Sequence, residues 1–176
     1  MNVIDRFLPE GSFQNLKEHL LSPKVSWTWH QHKTGPREST DSFQFVHTFY
    51  KLCMPQVGQP IKDVCNDMNP LGNIFYKLQP YAVLKVKANL TPRTAEPDKT
   101  DFHVDFPHYS HHDTAIYYLN TNNGYTEFKS GEIVESIENR LVIFDASEEH
   151  RGVSCTDEKY RLVLNLNYVR KPEIPV

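Results

Sequence analysis

Two long segments of alternating apolar and polar residues constrain the fold of this 176-residue chain more than any other feature. From Tyr81 to Leu90 the even-numbered positions are apolar, whereas Lys85, Lys87 and Asn89 stand at odd-numbered positions. Because successive strand side chains point to opposite faces, this pattern predicts a β-strand with one apolar and one polar face. The polar face of so long a strand either meets solvent or lines a wet cavity.

The second segment, Tyr160–Val169, repeats the pattern and adds an arginine to the polar face. Its tyrosines and leucines share one face, while Arg161, Asn165 and Asn167 lie on the other face with Val163 and resemble the lining of a site. A guanidinium is a rigid fork of donors that stays charged in a pocket and holds a carboxylate bidentately. Arg161 is therefore either an anchor for a dicarboxylate or an arginine that reaches solvent.

The rest of the C-terminal half is also rich in predicted strands. Thr114–Leu119 and Leu141–Asp145 are short apolar runs, and the turn-like segments Asn120–Gly124 and Ser136–Arg140 lie between the strands. A polar, proline-containing loop, Thr91–Thr100, follows the first long strand. This half of the chain thus supplies the sheet.

Helical spacing is confined to the N-terminal half. Ser12–Leu21 has apolar residues at helical intervals, with Ser12 as a cap and Ser22 followed by proline as a stop. Pro60–Met68 shows the same spacing behind an initial proline, which predicts a second helix. A further helical turn or two is expected over Leu71–Leu78. Each helix has one apolar stripe and needs a sheet to cover.

Two other N-terminal segments give weaker signals. Val25–His32 alternates apolar and polar residues and predicts a strand, and the stretch 35–40 is typical of a loop. Phe43–Cys53 is rich in aromatic residues whose spacing fits neither period, so that strand and helix both remain open.

The order of these elements predicts an α+β, mainly β protein. Helices and mixed structure come first and closely spaced strands follow, which favours an antiparallel barrel or sandwich backed by helices. The length suits one domain over residues 1–176, with 1–80 as helical and mixed support and 81–170 as the β core.

Charge and cysteine content narrow the classes of partner. A net charge of −3 and a pI near 6.3 do not indicate binding to nucleic acid or to an anionic membrane. The chain has three widely spaced cysteines, and its first residues lack the basic start and apolar run of a signal peptide. We therefore expect reduced thiols and a cytoplasmic location.

A histidine and an aspartate two positions apart, His103 and Asp105, carry the strongest chemical signal. On an extended segment both side chains point to the same face and can bind one ion. His150 follows the predicted strand Leu141–Asp145, where the chain has just reached an end of the sheet. Two imidazoles and one carboxylate leave open positions on a metal, an arrangement that suits non-haem Fe(II) oxygenases. A surface histidine beside an exposed aspartate is the alternative.

Other histidines offer additional possibilities. His30 and His32 share a face of the predicted strand and form a second possible metal pair, although an exposed strand face is the commoner explanation. His108, His111 and His112 crowd the stretch after Asp105, where they belong either to a polar loop over the site or to groups that face a substrate.

Five segments in a fixed order resemble the 2-oxoglutarate/Fe(II) oxygenases, particularly the prolyl-hydroxylase-like branch. They are HVD from His103, TAIYYLN from Thr114, GYTEF from Gly124, NRLVIFD before His150 and YRL from Tyr160. The resemblance covers roughly positions 81–169, about half of the chain. It implies a double-stranded β-helix, or jelly roll, with N-terminal helices packed on the larger sheet.

The same resemblance implies roles for individual residues. His103, Asp105 and His150 correspond to the iron ligands. Arg161 corresponds to the partner of the C5 carboxylate of 2-oxoglutarate, and Tyr118 to the residue that shares this carboxylate through its hydroxyl.

The chain departs from the family pattern at two positions. Arg161 follows His150 by eleven positions, which is longer than the usual family spacing and implies a longer turn. A tyrosine common on the strand before the metal motif is absent, and Asn89 or Lys87 stands in its place, of which we expect Asn89. Asn165, on the polar face with Arg161, is a further expected contact of the cosubstrate.

The resemblance implies a dioxygenase reaction with Fe(II), 2-oxoglutarate and O₂. Its usual outcome is hydroxylation of a C–H bond, with release of succinate and CO₂. A prolyl or other amino-acid side chain of a peptide, or a small metabolite, is the expected substrate. A cupin-type metalloenzyme, isomerase or dioxygenase, and a non-catalytic barrel that only binds a ligand are the alternatives.

Overall fold

The fold was examined in a computed structural model that describes residues 1–31, 43–52, 64–105 and 111–171. Within these residues, antiparallel strands dominate and the helices are short. The elements are β1 (Asn2–Ile4), α1 (Glu10–Leu21), β2 (Thr28–His30), β3 (Gln44–Lys51), β4 (Val64–Cys65), a 3₁₀ turn (Asn69–Leu71), α2 (Gly72–Leu78), β5 (Ala82–Pro92), β6 (Asp113–Tyr118), β7 (Tyr125–Phe128), β8 (Ile133–Glu135), β9 (Arg140–Asp145), β10 (His150–Val153) and β11 (Tyr160–Val169).

The larger sheet is built around the two alternating strands that the sequence predicts. Its order is β1-β9-β6-β11-β5-β3-β2, and β4 pairs with β3. β11 lies between β5 and β6, so that Asn165 stands opposite Lys87 and Arg161 stands opposite Thr91. Both predicted strands, 81–90 and 160–169, are confirmed, although β5 extends to Pro92.

The smaller sheet faces the inner side of this one. β7 pairs with β10 and β8, and single bridges at Lys99 and His103 add a further extended segment beside β10. An apolar cluster joins the two sheets; it consists of Ile116, Tyr118, Phe128, Val134, Val142, Phe144 and Val163. Two facing antiparallel sheets of this kind form a double-stranded β-helix. The predicted α+β, mainly β, jelly roll is confirmed.

The helices cover the outer face of the larger sheet. Phe13, Leu16 and Leu20 recur on one side of α1 and are buried in a cluster with the outward side chains of β5, β6 and β11. Burying each of these side chains contributes roughly 1.5–3 kcal/mol. Over the described ranges, no helix has the length and apolarity needed to cross a bilayer.

One predicted helix is wrong. Pro60–Met68 has helical spacing, yet Val64 and Cys65 form β4 and pair with Lys51 and Tyr50 at the end of β3. The first part of the segment, 60–63, lies outside the described residues. Pairing with a neighbouring strand outweighs a local apolar period that spans only two turns.

Other boundaries differ in detail. α1 begins at Glu10 behind Pro9, so Ser12 lies inside the helix and is not its cap, whereas Ser22 ends the helix as predicted. The predicted strand Val25–His32 is confirmed over Thr28–His30 but not over 25–27, and His32 lies outside the described residues. Within the segment left open, Phe43–Cys53, residues Gln44–Lys51 form β3, and α2 matches the predicted helical turns. The predicted loop at 35–40 lies outside the described residues.

Candidate functional site

A polar cavity lies between the two sheets, where the inward faces of β5 and β11 meet β7 and β10. It contains about 650 Å³ of space free of protein atoms, a volume that includes its open mouth. Its lining includes His103, His150, Arg161, Lys87, Asn89 and Asn165. The polar faces predicted for the two long strands therefore line a cavity.

His103 and His150 are adjacent in this cavity. Their backbones exchange two N–H···O bonds of 3.0 Å, and their ring centroids are 4.8 Å apart. Each Nδ1 lies 3.0 Å from a backbone carbonyl, that of Asp101 and that of Glu148 respectively. Because a carbonyl only accepts, each Nδ1 carries the proton and each Nε2 is left as a donor atom for a metal.

Burial keeps the first of these rings neutral. Burial and the neighbouring His150 lower the pKa of His103 below its ordinary value. A neutral imidazole is the form that binds a metal. His150 is almost fully buried and packs edge-on against Phe144 at 4.8 Å between ring centroids.

Asp105 lies beside His150 but is already bonded to other side chains. Its Oδ2 is 3.6 Å from Nε2 of His150 and accepts a 2.5 Å hydrogen bond from Nδ2 of Asn165. Its Oδ1 is 3.2 Å from Nζ of Lys85. Burial would raise the pKa of this carboxyl, but His150, Lys85 and Lys87 outweigh burial and hold the pKa well below its usual range. Asp105 is therefore an anion.

The three predicted ligands are neighbours without forming a complete coordination set. Among the described residues, no group of three histidine, cysteine, aspartate or glutamate side chains is arranged to hold an ion. The contacts of Lys85 and Asn165 with Asp105 occupy the oxygens that an ion would need. Binding of an ion requires Asp105 to exchange at least one of these contacts.

Arg161 is buried in the same cavity and turned inward. Its Nε donates to Oγ of Ser136 at 2.9 Å, and its Nη2 donates to Oγ1 of Thr126 at 3.1 Å. No carboxylate of the described residues pairs with it, and burial lowers the pKa of its guanidinium. A buried cation whose protein partners are hydroxyls is a receptor for an anion.

Gly124 makes room for this arginine. A Cβ at this position would lie 2.8 Å from the carbonyl oxygen of Val153 and 2.9 Å from Cδ of Arg161. Both distances are below normal contact. The glycine of the GYTEF segment is therefore required where the arginine side chain lies against the backbone just before β7.

Tyr118 reaches the arginine indirectly. Its hydroxyl donates to Oγ1 of Thr126 at 2.7 Å, the same oxygen that accepts from Arg161, and the guanidinium lies 5.5 Å from the ring centroid. The residue is fully buried, which raises the pKa of its hydroxyl. Tyr118 orients the hydroxyl that holds Arg161, and its direct contact with a ligand stays a prediction.

Asn89 and Asn165 present unused acceptors to the cavity. In each, the buried Oδ1 has no hydrogen-bond partner in the described structure. Such an atom costs about 1–3 kcal/mol unless a ligand or water satisfies it. Both asparagines thus fit the predicted role of binding a ligand, and this role remains a prediction.

Of the other candidate histidines, those that the structure describes are not part of the lining of this cavity. His30 is exposed on β2, while His32 and His108 lie outside the described residues. His111 is exposed with a left-handed backbone (φ 63°), and His112 is buried beside β6.

Sequence reasoning missed three side chains that position the site: Lys85 at Asp105, and Thr126 and Ser136 at Arg161. Lys85 was recognised only as part of a polar face. A polar residue at an inward position was the available signal for Thr126, since it alternates with half-buried neighbours on β7. Ser136 lies just after β8 and has no periodic signal.

Comparison with known proteins gives a fold but no sequence relative. The sequence matches no family model and no curated protein. The structure resembles the non-haem α-ketoglutarate-dependent epimerase SnoN from nogalamycin biosynthesis, with a TM-score of 0.63 and 12% identity over 96% of this chain and 77% of that one. It also resembles a 2-oxoglutarate/Fe(II) oxygenase-family oxidoreductase from Burkholderia pseudomallei, with a TM-score of 0.59 and 13% identity over 93% and 83% of the two chains.

A third similar structure comes from the branch that the sequence resembles. It is a prolyl-4-hydroxylase from Pseudomonas putida, with a TM-score of 0.54 and 16% identity over 97% of this chain and 92% of that one. The fold of this chain is therefore that of the 2-oxoglutarate/Fe(II) oxygenases. The resemblance inferred from the sequence is confirmed at this level.

Proposed function

We propose that this protein is an Fe(II)- and 2-oxoglutarate-dependent oxygenase. In the proposed reaction it hydroxylates a C–H bond of an amino-acid side chain, prolyl or similar, or of a small metabolite, and it releases succinate and CO₂. One observation carries the proposal. A single cavity is lined by two imidazoles whose Nδ1 atoms are bonded to backbone carbonyls and by a buried guanidinium that has no carboxylate partner among the described residues, and an anionic carboxylate lies beside one imidazole.

The donor set fits a non-haem iron. His103, His150 and Asp105 supply two neutral nitrogens and one carboxylate, which is the combination used by Fe(II) oxygenases. The backbone carbonyls of Asp101 and Glu148 fix both ring tautomers, a second layer of contacts that supports metal ligands in general. When bound, iron with 2-oxoglutarate would supply the oxidising power for C–H cleavage with O₂.

The other polar residues would place the cosubstrate. Arg161 would pair with its C5 carboxylate, held in position by Ser136 and Thr126. The unpaired Oδ1 atoms of Asn89 and Asn165 would meet donors of bound ligands or of ordered water. The apolar cluster between the sheets would exclude bulk water from one side of the cavity, which strengthens these electrostatic contacts.

Two outcomes other than hydroxylation follow from specific observations. SnoN is described as an epimerase, so the same fold supports a different oxidative reaction in another protein. The engagement of Asp105 by Lys85 and Asn165 favours a barrel that binds an anionic ligand without a metal. Metal binding decides between the oxygenase and this binding barrel.

An anaerobic titration tests the proposal. Fe(II) and 2-oxoglutarate are added to the protein, and the visible charge-transfer band of the chelated cosubstrate is recorded, followed by succinate formation in air. We expect one band-forming site per chain and slow succinate release without a primary substrate. Folded protein that gives neither signal would leave the binding barrel as the better account.

A further inference from the structure

The cavity carries more positive charge than one dicarboxylate anchor requires. Two cations, Lys87 and Arg161, are part of its lining, whereas none of the described lining residues is an aspartate or a glutamate. Charges that leave bulk water are stable only when they are paired or hydrogen-bonded. A ligand that fills this cavity is therefore expected to bring negative charge to both cations.

Lys87 has no ion pair with the described residues. It points inward from the middle of β5 and is partly buried. The carboxylate on this side of the cavity, Asp105, is bonded to Lys85 and Asn165 instead. Burial and the charge of Lys85 lower the pKa of Lys87 to about 8, so that its ammonium group is still mostly charged at neutral pH.

The two cations stand at different levels of the barrel. Across the β5–β11 pair, Arg161 is opposite Thr91 and Asn165 is opposite Lys87. Four residues of strand separate these levels, about 13 Å between Cα positions. Asn165 also contacts Asp105, so Lys87 lies level with the candidate metal ligands and not with the arginine.

We infer that Lys87 binds an anionic group of the primary substrate, whose class is therefore an organic anion with a carboxylate near the carbon that reacts. This inference rests on the proposed function, in which Arg161 already holds the distal carboxylate of 2-oxoglutarate. Asn89 lies on the same face of β5 as Lys87, at a level of the β5–β11 pair between those of the two cations. Its Oδ1, which has no partner in the described structure, offers an acceptor for a donor next to that carboxylate.

The test compares acids with their own amides. Calorimetry measures binding of acetate and acetamide, benzoate and benzamide, and N-acetylproline and N-acetylprolinamide to the full chain. Titrations are made with Zn(II) and saturating 2-oxoglutarate and, separately, on metal-free protein. Lys87→Met keeps the aliphatic stem and removes the charge. Lys51→Met is the matched control, since Lys51 is an exposed lysine on β3 opposite Lys85.

We expect at least one acid to bind about tenfold more tightly than its amide to the wild type and to Lys51→Met, because a charge-assisted hydrogen bond is lost in the amide. In Lys87→Met this preference disappears, while the affinity for 2-oxoglutarate measured by the charge-transfer band changes less than about threefold.

Two results would overturn the inference: no acid preference in the wild type for any pair, or a loss of 2-oxoglutarate affinity in Lys87→Met equal to the loss of acid binding. The second result would assign Lys87 to the cosubstrate. A Lys87-dependent acid preference in metal-free protein, together with no Fe(II)·2-oxoglutarate band, would reject the oxygenase and retain the anion site.

Discussion

The two faces of the β5–β11 pair differ in composition and in what they do. On the outer face, Val86, Leu164 and Leu166 are buried against the helices. On the inner face, the same two strands present Lys87 and Arg161 to a cavity. Because successive side chains of a strand point to opposite faces, neighbouring residues of the same strand serve different purposes. One residue packs in the core, and the next lines the cavity. Substitutions on the two faces should therefore have separable effects.

The largest difference between the loss of binding and the loss of stability is expected at a candidate metal ligand. His103→Ala should weaken Fe(II) binding more than about 100-fold, since even the loss of an outer partner of a ligand costs about 10–100-fold. Its free energy of unfolding should change by only about 1 kcal/mol, because His103 is partly exposed. Equilibrium dialysis and urea denaturation measure the two effects. His30→Ala is the control, and a loss of iron there would favour the alternative histidine pair.

The outer face should show the opposite behaviour. Leu164→Ala should lower the free energy of unfolding by about 2–5 kcal/mol, because the side chain is fully buried. The adjacent inner residue, Asn165, should cost less when replaced by alanine, about 1–2 kcal/mol for the lost bond to Asp105. Urea denaturation compares the two variants. A larger destabilisation by Asn165→Ala would contradict the division between the faces.

Replacement of Arg161 should have a smaller effect, and this effect should be limited to ligand binding. Arg161→Met should weaken 2-oxoglutarate binding about 100-fold, equivalent to about 2.7 kcal/mol, because two charge-assisted bonds are lost. Gly124→Ala should cause part of this loss by displacing the arginine. Arg151→Met serves as control, since Arg151 bonds to Glu127. Unchanged 2-oxoglutarate affinity in Arg161→Met would contradict the proposal that Arg161 binds the C5 carboxylate.

The smallest expected effect is on stability, and it comes from the burial of the charged Lys87 on the inner face. The folded pKa of Lys87, about 8, lies below the unfolded value near 10.4. Between these values the unfolded chain binds more protons, so this residue makes stability rise as the pH increases from 8 to 10. Lys87→Met should thus be more stable than the wild type at pH 7, by about 1–3 kcal/mol.

Denaturant titrations of both proteins at pH 7 and pH 9.5 measure this difference. It should be largest at pH 7 and smaller at pH 9.5. A difference that is independent of pH would mean that Lys87 is not desolvated in the folded protein.

The sequence predicts the long strands and their faces well, because a period of two sustained over ten residues has no competing explanation. It fails at Val64 and Cys65, where a short apolar spacing suits a helix but β3 offers a partner strand. Phe43–Cys53 was ambiguous for the same reason, since pairing with β5 decides its structure. These outcomes depend on contacts between distant segments, which local patterns do not contain.

The candidate site shows a similar limit. The fold brings His103, His150 and Arg161 into one cavity and Asp105 beside His150, as the sequence predicts. The pairing of Asp105 with Lys85 was not foreseen, because it depends on the approach of the segment after His103 to the middle of β5. Long-range side-chain contacts of this kind are fixed only by the folded barrel.

X-ray absorption spectroscopy of the Fe(II)-loaded protein tests the central claim most directly, because it reports the atoms bound to the metal. The account predicts one iron per chain with scattering from two imidazoles, reduced to one imidazole in His103→Ala. Iron bound without imidazole, or an unchanged spectrum in His103→Ala, would contradict it.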